Sequence, residues 1–542
     1  MRLHKRFQRG LSMFIAILFM LSVFPMASVL AQENTIPIDG SALWYTLTDG
    51  TLTVGGTGDM PAYAYGKSPF ANNSAITALI IQSGVTSVGK YAFERCTALA
   101  SVTLPDGITA IGDYAFDKCA ALSAITIPAS VESIGNYAFR SDTKTPNVLQ
   151  TVTVAAESKL QKLGAGVFKD CKQLTAFAMP AGVTTLGKEL FSGCTALADL
   201  TLSENVDSIG ENAFKDCTSL VYNTYEGGNY LGSAEKPYLY LVTASAADIT
   251  ALTVHETTKI ILPGAFQGCV ELVSAAIPDR FKVIPDNLFR ECTKLSSVTF
   301  ADDITAIGVG AFMKTGLTAI SIPATVTSLG QNCFNACASL ETAIFAADSQ
   351  LTTMGSGVFY KCVKLDGVVL PATLTKIMGS TFYGCSSLAS YTISENVTAI
   401  GERAFQDCVL LSEMSFPAKV ESIGYEALSG CKGLKTVTFA ADGALKDIGY
   451  NLLKNCVLLE TVTVPGTVTA LGNGVFNGCT KLSSVVFSAG VSFPTLDSNV
   501  FAGCTALTQV DIPASVKTVS YSAFDGCTAL ATVNIPTDSG MT

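Results

Sequence analysis

The chain has 542 residues, of which 49% are hydrophobic and only 14% charged, with a formal net charge of −10. Such a chain can bury a large core and is not a disordered polymer. Its acidic balance argues against nucleic acid or an anionic membrane surface as a partner, since both attract basic faces.

The first 31 residues read as a secretory signal peptide. Arg2, Lys5, Arg6 and Arg9 form a basic start, "LSMFIAILFMLSVF" (11–24) an apolar stretch, and "VLA" (29–31) a small-residue cleavage site. The apolar stretch is short for a spanning helix, which needs about 20 apolar residues. No later segment reaches spanning length, so no membrane span is expected in the mature chain. Cleavage would leave 30 basic against 44 acidic residues, a net of −14.

Residues 32–75 hold the only tryptophan, Trp44, within "LWYTLTDGTLTVGGTGDMPAY". Alternating β-branched residues around turn-forming Asp-Gly suggest a β-hairpin. Such a hairpin would close the first open face of whatever follows. The Gly-rich "VGGTGDM" lacks the Lys-Ser/Thr of a phosphate loop, and no cofactor is expected.

From about residue 76 the sequence repeats, most often every 23 residues. Sixteen phenylalanines mark the register, from Phe93, Phe116 and Phe139 to Phe476, Phe501 and Phe524; Leu428 and Leu453 fill the same place twice, making about 18 units. The unit is approximately Phe-x-x-Cys-x-x-Leu-x-x-Val-x-Ile-Pro, then Val-x-x-Ile-Gly. "VTL", "ITI" and "VTV" alternate as short strands with one buried face. A proline (Pro105, Pro128, Pro180, Pro323) ends the strand. A second short extended piece follows, and its glycine (Gly112, Gly135, Gly210, Gly401) is read as a turn that needs positive φ. "AFxxCxxL" spaces apolar groups by three, which suits one inward turn of α- or 3-10 helix. One unit cannot bury its apolar side, but stacked units can. The expected fold is therefore an α/β repeat solenoid over 76–542. It has a parallel main sheet, short second strands and helical turns.

Between Cys217 and Cys269 the step is 52 residues. This insertion, at about 221–262, carries Tyr222, Tyr225, Tyr230, Tyr238 and Tyr240 and reads as an inserted hairpin. A lesser insertion, "RSDTKTPNVLQ", follows Phe139. The chain stops at "VNIPTDSGMT", directly after a strand; the expectation is a fragment of something longer.

These units resemble a leucine-rich repeat, specifically the BspA-type branch of bacterial and protist cell surfaces. The Leu-x-x-Val-x-Ile core matches, as at Leu99, Val102 and Leu104. The usual Asn after the strand is missing; Ile-Gly and Ala-Phe-x-x-Cys take its place, as in that branch. The resemblance implies a secreted or surface-exposed protein that adheres to a host or bacterial surface protein or glycan. The alternative is a passive scaffold presenting a further C-terminal domain, possibly enzymatic.

No catalytic constellation or metal site emerges, and the chain is not expected to be an enzyme. His255 is the single histidine after the leader and is expected to be a solvated loop residue. Sixteen of the 17 cysteines share one repeat position: Cys96, Cys119, Cys171, Cys194, Cys217, Cys269, Cys292, Cys337, Cys362, Cys385, Cys408, Cys431, Cys456, Cys479, Cys504 and Cys527. Export suggests disulfides. Stacked equivalent residues, however, hold their Cβ atoms about 4.8 Å apart or more, beyond the usual reach of a bridge. The expectation is a structural ladder of buried thiols behaving as small hydrophobes.

The exposed middle position of the main strand holds Thr103, Thr126, Thr153, Thr201, Thr253 and Thr299, continued by Ser321, Thr392, Ser415, Thr438 and Thr463. This row could be a platform for a protein, a glycan or ice. It could equally reflect the β-propensity of Thr on a solvated strand. The tyrosines of the insertion either pack on the solenoid flank or offer a contact surface, with Tyr225, Tyr230 and Tyr238 as the aromatic candidates for binding.

Overall fold

The computed structural model describes residues 35–142, 144, 146–537, 540 and 541. The expected signal peptide lies outside them. The chain divides into an N-terminal body, residues 1–199 with 213–219, and a C-terminal body, residues 200–212 with 220–542. Each is a parallel β-solenoid of the leucine-rich-repeat kind, built from rungs.

In the N-terminal body, Ile36–Pro37, Leu43–Thr48 and Thr51–Gly56 pair antiparallel. Thr51–Gly56 then pairs parallel with Ala78–Ile81, which pairs with Ser101–Thr103. Ala124–Ile127, Thr151–Val154 and Ala176–Ala178 continue the parallel pairing. A second sheet runs through two-residue strands: Ala110–Ile111, Ser133–Ile134, Lys162–Leu163 and Thr185–Leu186. The C-terminal body repeats this plan, as in Glu413–Phe416, Thr436–Phe439, Thr461–Val464 and Ser484–Phe487 for the main sheet. Its short strands include Ala399–Ile400, Ser422–Ile423, Asp447–Ile448 and Ala470–Leu471.

The period-two alternation is visible in burial. Ile125 and Ile127 are buried while Thr126 is exposed; Val462 and Val464 are buried while Thr463 is exposed. Between the two sheets the repeat phenylalanines stack. Phe70, Phe93, Phe116 and Phe139 follow one another with centroids 5.4 Å apart. Phe266, Phe289, Phe312 and Phe334 do the same at 5.4–5.8 Å. Offset aromatic stacks of this kind add to the area buried.

The "AFxxCxxL" segments are not helical; among the described residues there is no α- or 3-10 helix. Left-handed backbone recurs instead at fixed places: Tyr91 (φ 54°) and Arg95 (φ 57°), then Tyr114 (φ 56°) and Lys118 (φ 61°). This alternation turns every second amide toward the next rung. The amides of Tyr91, Phe93 and Arg95 donate to the carbonyls of Asp113, Ala115 and Asp117 at 2.8–2.9 Å. The remaining amides close i→i−3 turns, as from Cys96 to Phe93 and from Leu99 to Cys96. A helix would spend its amides within one rung and leave the buried faces between rungs unpaired, which is costly. Three-residue apolar spacing fits both arrangements, and the stacking decides between them.

The Ile-Gly glycines also differ from expectation. Gly112, Gly135 and Gly401 do not have positive φ. They pack against the backbone of the preceding rung: a Cβ on Gly112 would lie 2.6 Å from the Lys90 nitrogen, and one on Gly135 would lie 2.5 Å from the Asp113 nitrogen. Close approach, not turn geometry, requires glycine here.

In the insertion, Asn223–Tyr225 and Gly228–Leu231 pair antiparallel. Gly228–Leu231 then pairs antiparallel with Tyr240–Ala244, with a register shift at Asn229/Tyr230. Tyr240–Ala244 rejoins the parallel order through Ile260–Ile261.

Candidate binding surface

The repeat-position cysteines point inward. All 17 cysteines are free thiols, and all but the half-buried Cys527 are buried. They do more than fill space. Cys119 Sγ donates to the Phe93 carbonyl of the preceding rung at 3.2 Å, Cys194 to Phe168 at 3.1 Å and Cys408 to Phe382 at 3.1 Å. That carbonyl also accepts the amide of its own rung's cysteine. Both of its lone pairs are thereby used in a dry environment. In the two rungs without the thiol, a polar side chain bonds the phenylalanine carbonyl of its own rung, to which the next rung's Cys171 or Cys337 also donates. Asn147 Nδ2 reaches the Phe139 carbonyl at 3.3 Å, and Thr315 Oγ1 reaches the Phe312 carbonyl at 2.8 Å. The spacing alone did not reveal this donor role.

Burial pushes the thiols of Cys96, Cys171, Cys217, Cys292 and Cys479 up to about 12, and that of Cys269 to about 11. Protonated, enclosed thiols are poor nucleophiles and poor metal ligands. Among the described residues no group of three His, Cys, Asp or Glu could hold a metal ion. Titration with a water-soluble aromatic disulfide should find Cys527 reacting first and the buried thiols silent. After unfolding without reductant, about 17 equivalents should react. Near-zero free thiol in the unfolded chain would overturn the ladder.

The outward row is different. Thr103, Thr126 and Thr153 in the N-terminal body are exposed, with Thr126 and Thr153 directly paired in register. Thr201 and Thr299 in the C-terminal body are exposed on strands; Thr253 is exposed but lies outside any strand. No side-chain hydrogen bond engages these six hydroxyls among the described residues. The threonines just before the short strands behave otherwise: Thr109, Thr305 and Thr398 donate to carbonyls of the preceding rung at 3.1–3.2 Å. The free row is interrupted by apolar groups that the threonine pattern did not single out. Ile344 is 59% and Val369 71% exposed. They stand one residue beyond Ala343 and Val368, which pair in register.

The aromatic candidates divide. Tyr230 is fully buried, with its hydroxyl accepting the His255 amide at 3.3 Å, and it cannot present itself to a partner. Its strand alternation carries the ring into the core. Tyr225 and Tyr238 are half-buried and pack around the His255 ring, with centroids at 4.7 and 4.4 Å. His255 is therefore half-buried between two tyrosines rather than freely solvated. Its Nδ1 lies 2.9 Å from Thr257 Oγ1.

A family model described as "BspA type Leucine rich repeat region" matches residues 64–154, 147–233, 244–341, 337–456 and 446–540. The chain belongs to the BspA-type leucine-rich repeat family. Among solved structures, a leucine-rich repeat protein from Bacteroides ovatus is 25% identical, with 80% of this chain and 98% of that chain covered and a TM-score of 0.35. One from Eubacterium ventriosum is 24% identical, covering 68% and 92%, with a TM-score of 0.39. A leucine rich cell surface protein from Faecalibacterium prausnitzii is 22% identical, covering 95% and 96%, with a TM-score of 0.30. No curated protein matches the sequence. No helix among the described residues of this BspA-type chain is long and apolar enough to cross a membrane.

Proposed function

We propose that this chain is a secreted or cell-surface protein-binding module of the adhesin type, without catalytic activity of its own. One observation carries the reading: on the main sheet of the C-terminal body the exposed hydroxyls of Ser321, Ser415 and Thr438 point outward with the exposed Ile344 and Val369. Hydroxyls supply adaptable hydrogen bonds and the aliphatic pair supplies apolar area to desolvate. Membership of the BspA-type family supports a surface location, and the leader at 1–31 would direct export. The N-terminal segment 32–75 acts as a cap, pairing Thr51–Gly56 onto the edge of Ala78–Ile81.

The test immobilises the mature protein against a panel of purified extracellular matrix proteins. Saturable binding is expected, and Ile344→Lys with Val369→Lys should weaken it about ten-fold or more. Retention of no protein in the panel would favour a passive scaffold. Binding indifferent to the double substitution would show that this surface does not hold the partner.

A further inference from the structure

We infer that the short-strand side of the C-terminal body carries a binding groove for neutral oligosaccharides, separate from the main-sheet row. The groove has a volume of about 1000 Å³, in the range of small-molecule sites. Its floor is backbone: Gly424, Gly449 and Gly472 follow the strands Ser422–Ile423, Asp447–Ile448 and Ala470–Leu471 without side chains between them.

Tyr425 and Tyr450 form one wall. Their rings stack at 4.7 Å with 4° between planes. Tyr425 is closed on its other side by the Arg403 guanidinium, 5.2 Å from the ring centroid. Among the described residues no cation lies over the Tyr450 ring. The equivalent residue of the next rung is Asn473, not an aromatic, and Tyr450 is 46% exposed. The aromatic stack thus ends on an open face directed along the groove. A pyranose ring presents an apolar C–H face of suitable size to continue such a stack.

The rest of the lining selects the ligand class. Glu402, Asp447 and Asp497 line the groove with carboxylates, Asn473 and Asn477 with amides, and Lys454 with one ammonium. Carboxylates accept from two adjacent hydroxyls, and amides both donate and accept, which matches the vicinal hydroxyls of a sugar. Three carboxylates against the single Lys454 ammonium disfavour an anionic ligand. Asp497 itself stands where the preceding rungs have glycine, after Thr495–Leu496. One rung further, Tyr521 follows Thr518–Val519 at 90% exposure and lies beyond the far end.

The experiment uses the mature full chain with cellohexaose, laminarihexaose, maltohexaose and chitohexaose, and with an oligogalacturonate as the anionic counterpart. Saturation-transfer NMR and calorimetry read the binding. At least one neutral hexasaccharide should bind saturably at up to millimolar concentration, while the anionic one should bind more weakly. Tyr450→Ala should lower affinity about ten-fold, the scale of one lost stacking contact. Tyr450→Phe, which keeps the ring, should stay within about two-fold of the parent. Lys432→Ala, exposed and outside both the groove and the main-sheet row, should change nothing. The inference is overturned if none of the neutral hexasaccharides binds, if the oligogalacturonate is preferred, or if Tyr450→Ala binds like the parent.

Discussion

Replacing Gly112 by alanine should destabilise the N-terminal body by about 3 kcal/mol, at the upper end of typical overpacking costs. The new Cβ would meet three backbone atoms of the preceding rung: Lys90 N at 2.6 Å, Gly89 C at 2.9 Å and Val88 O at 2.9 Å. None of these can swing aside as a side-chain end would. The amide of Gly112 is also bonded to the Val88 carbonyl at 2.8 Å, so relaxing the clash stretches that bond. In a stacked repeat each rung rests on its neighbours, and displacing one weakens two interfaces. Gly66 is the control. It has φ +66° and nothing within 4 Å of the place a Cβ would occupy, so Gly66→Asn should cost about 1 kcal/mol or less. Urea unfolding followed by circular dichroism separates the two. Equal midpoints for the two variants would show that close approach is not what holds glycine at position 112.

The second large effect is with pH. The buried thiols have folded-state values raised to about 12 in five cases, against 9.0 for an exposed cysteine. The cause is desolvation of the thiolate. Between pH 9 and 12 the unfolded chain loses thiol protons that the folded chain keeps. The folded state then binds more protons, so stability falls as pH rises. The contribution is fully present below about pH 9 and is lost as pH passes through the folded values. Each such thiol takes away about 1.4 kcal/mol per pH unit across that window. The slopes of thiols in one cooperative segment add. Tyr63 and Tyr240, raised by burial to about 12, act in the same direction. Urea midpoints should therefore be flat from pH 7 to about pH 9 and drop steeply above it. Replacing Cys292 and Cys479 by alanine should lower the neutral midpoint and make the alkaline slope shallower. An unchanged slope would show that the thiols are not what the alkaline transition titrates.

The repeat itself was legible because its chemistry is local. Alternating Val, Thr and Ile can only be strands with one wet face, and a proline after them can only end a ladder. The inward place of Phe93, Cys96 and Leu99 follows from their regular spacing and apolar character. The outward place of Thr126 and Thr153 follows from period two. These are consequences of side-chain polarity and backbone stereochemistry that each rung carries alone.

What the spacing misassigned involves a neighbouring rung or strand. Three-residue spacing could not distinguish a helical turn from alternating left-handed turns, because the deciding hydrogen bonds run from Phe93 to Ala115 in the next rung. Gly112 reads as a turn residue in one rung and becomes a contact residue only when Lys90 lies beneath it. Cys119 reads as a small hydrophobe until the Phe93 carbonyl of the preceding rung appears as its acceptor. Tyr230 looks like a surface aromatic until its strand pairs with Tyr240–Ala244 and its ring enters the core. The groove beside Tyr450 required five rungs at once: its floor, its open ring and its carboxylates are far apart in sequence. Which groups turn inward and which outward is thus written in the residues of each rung. What rungs do to one another is settled only once they are stacked, because hydrogen bonding and close packing between rungs join residues more than twenty positions apart.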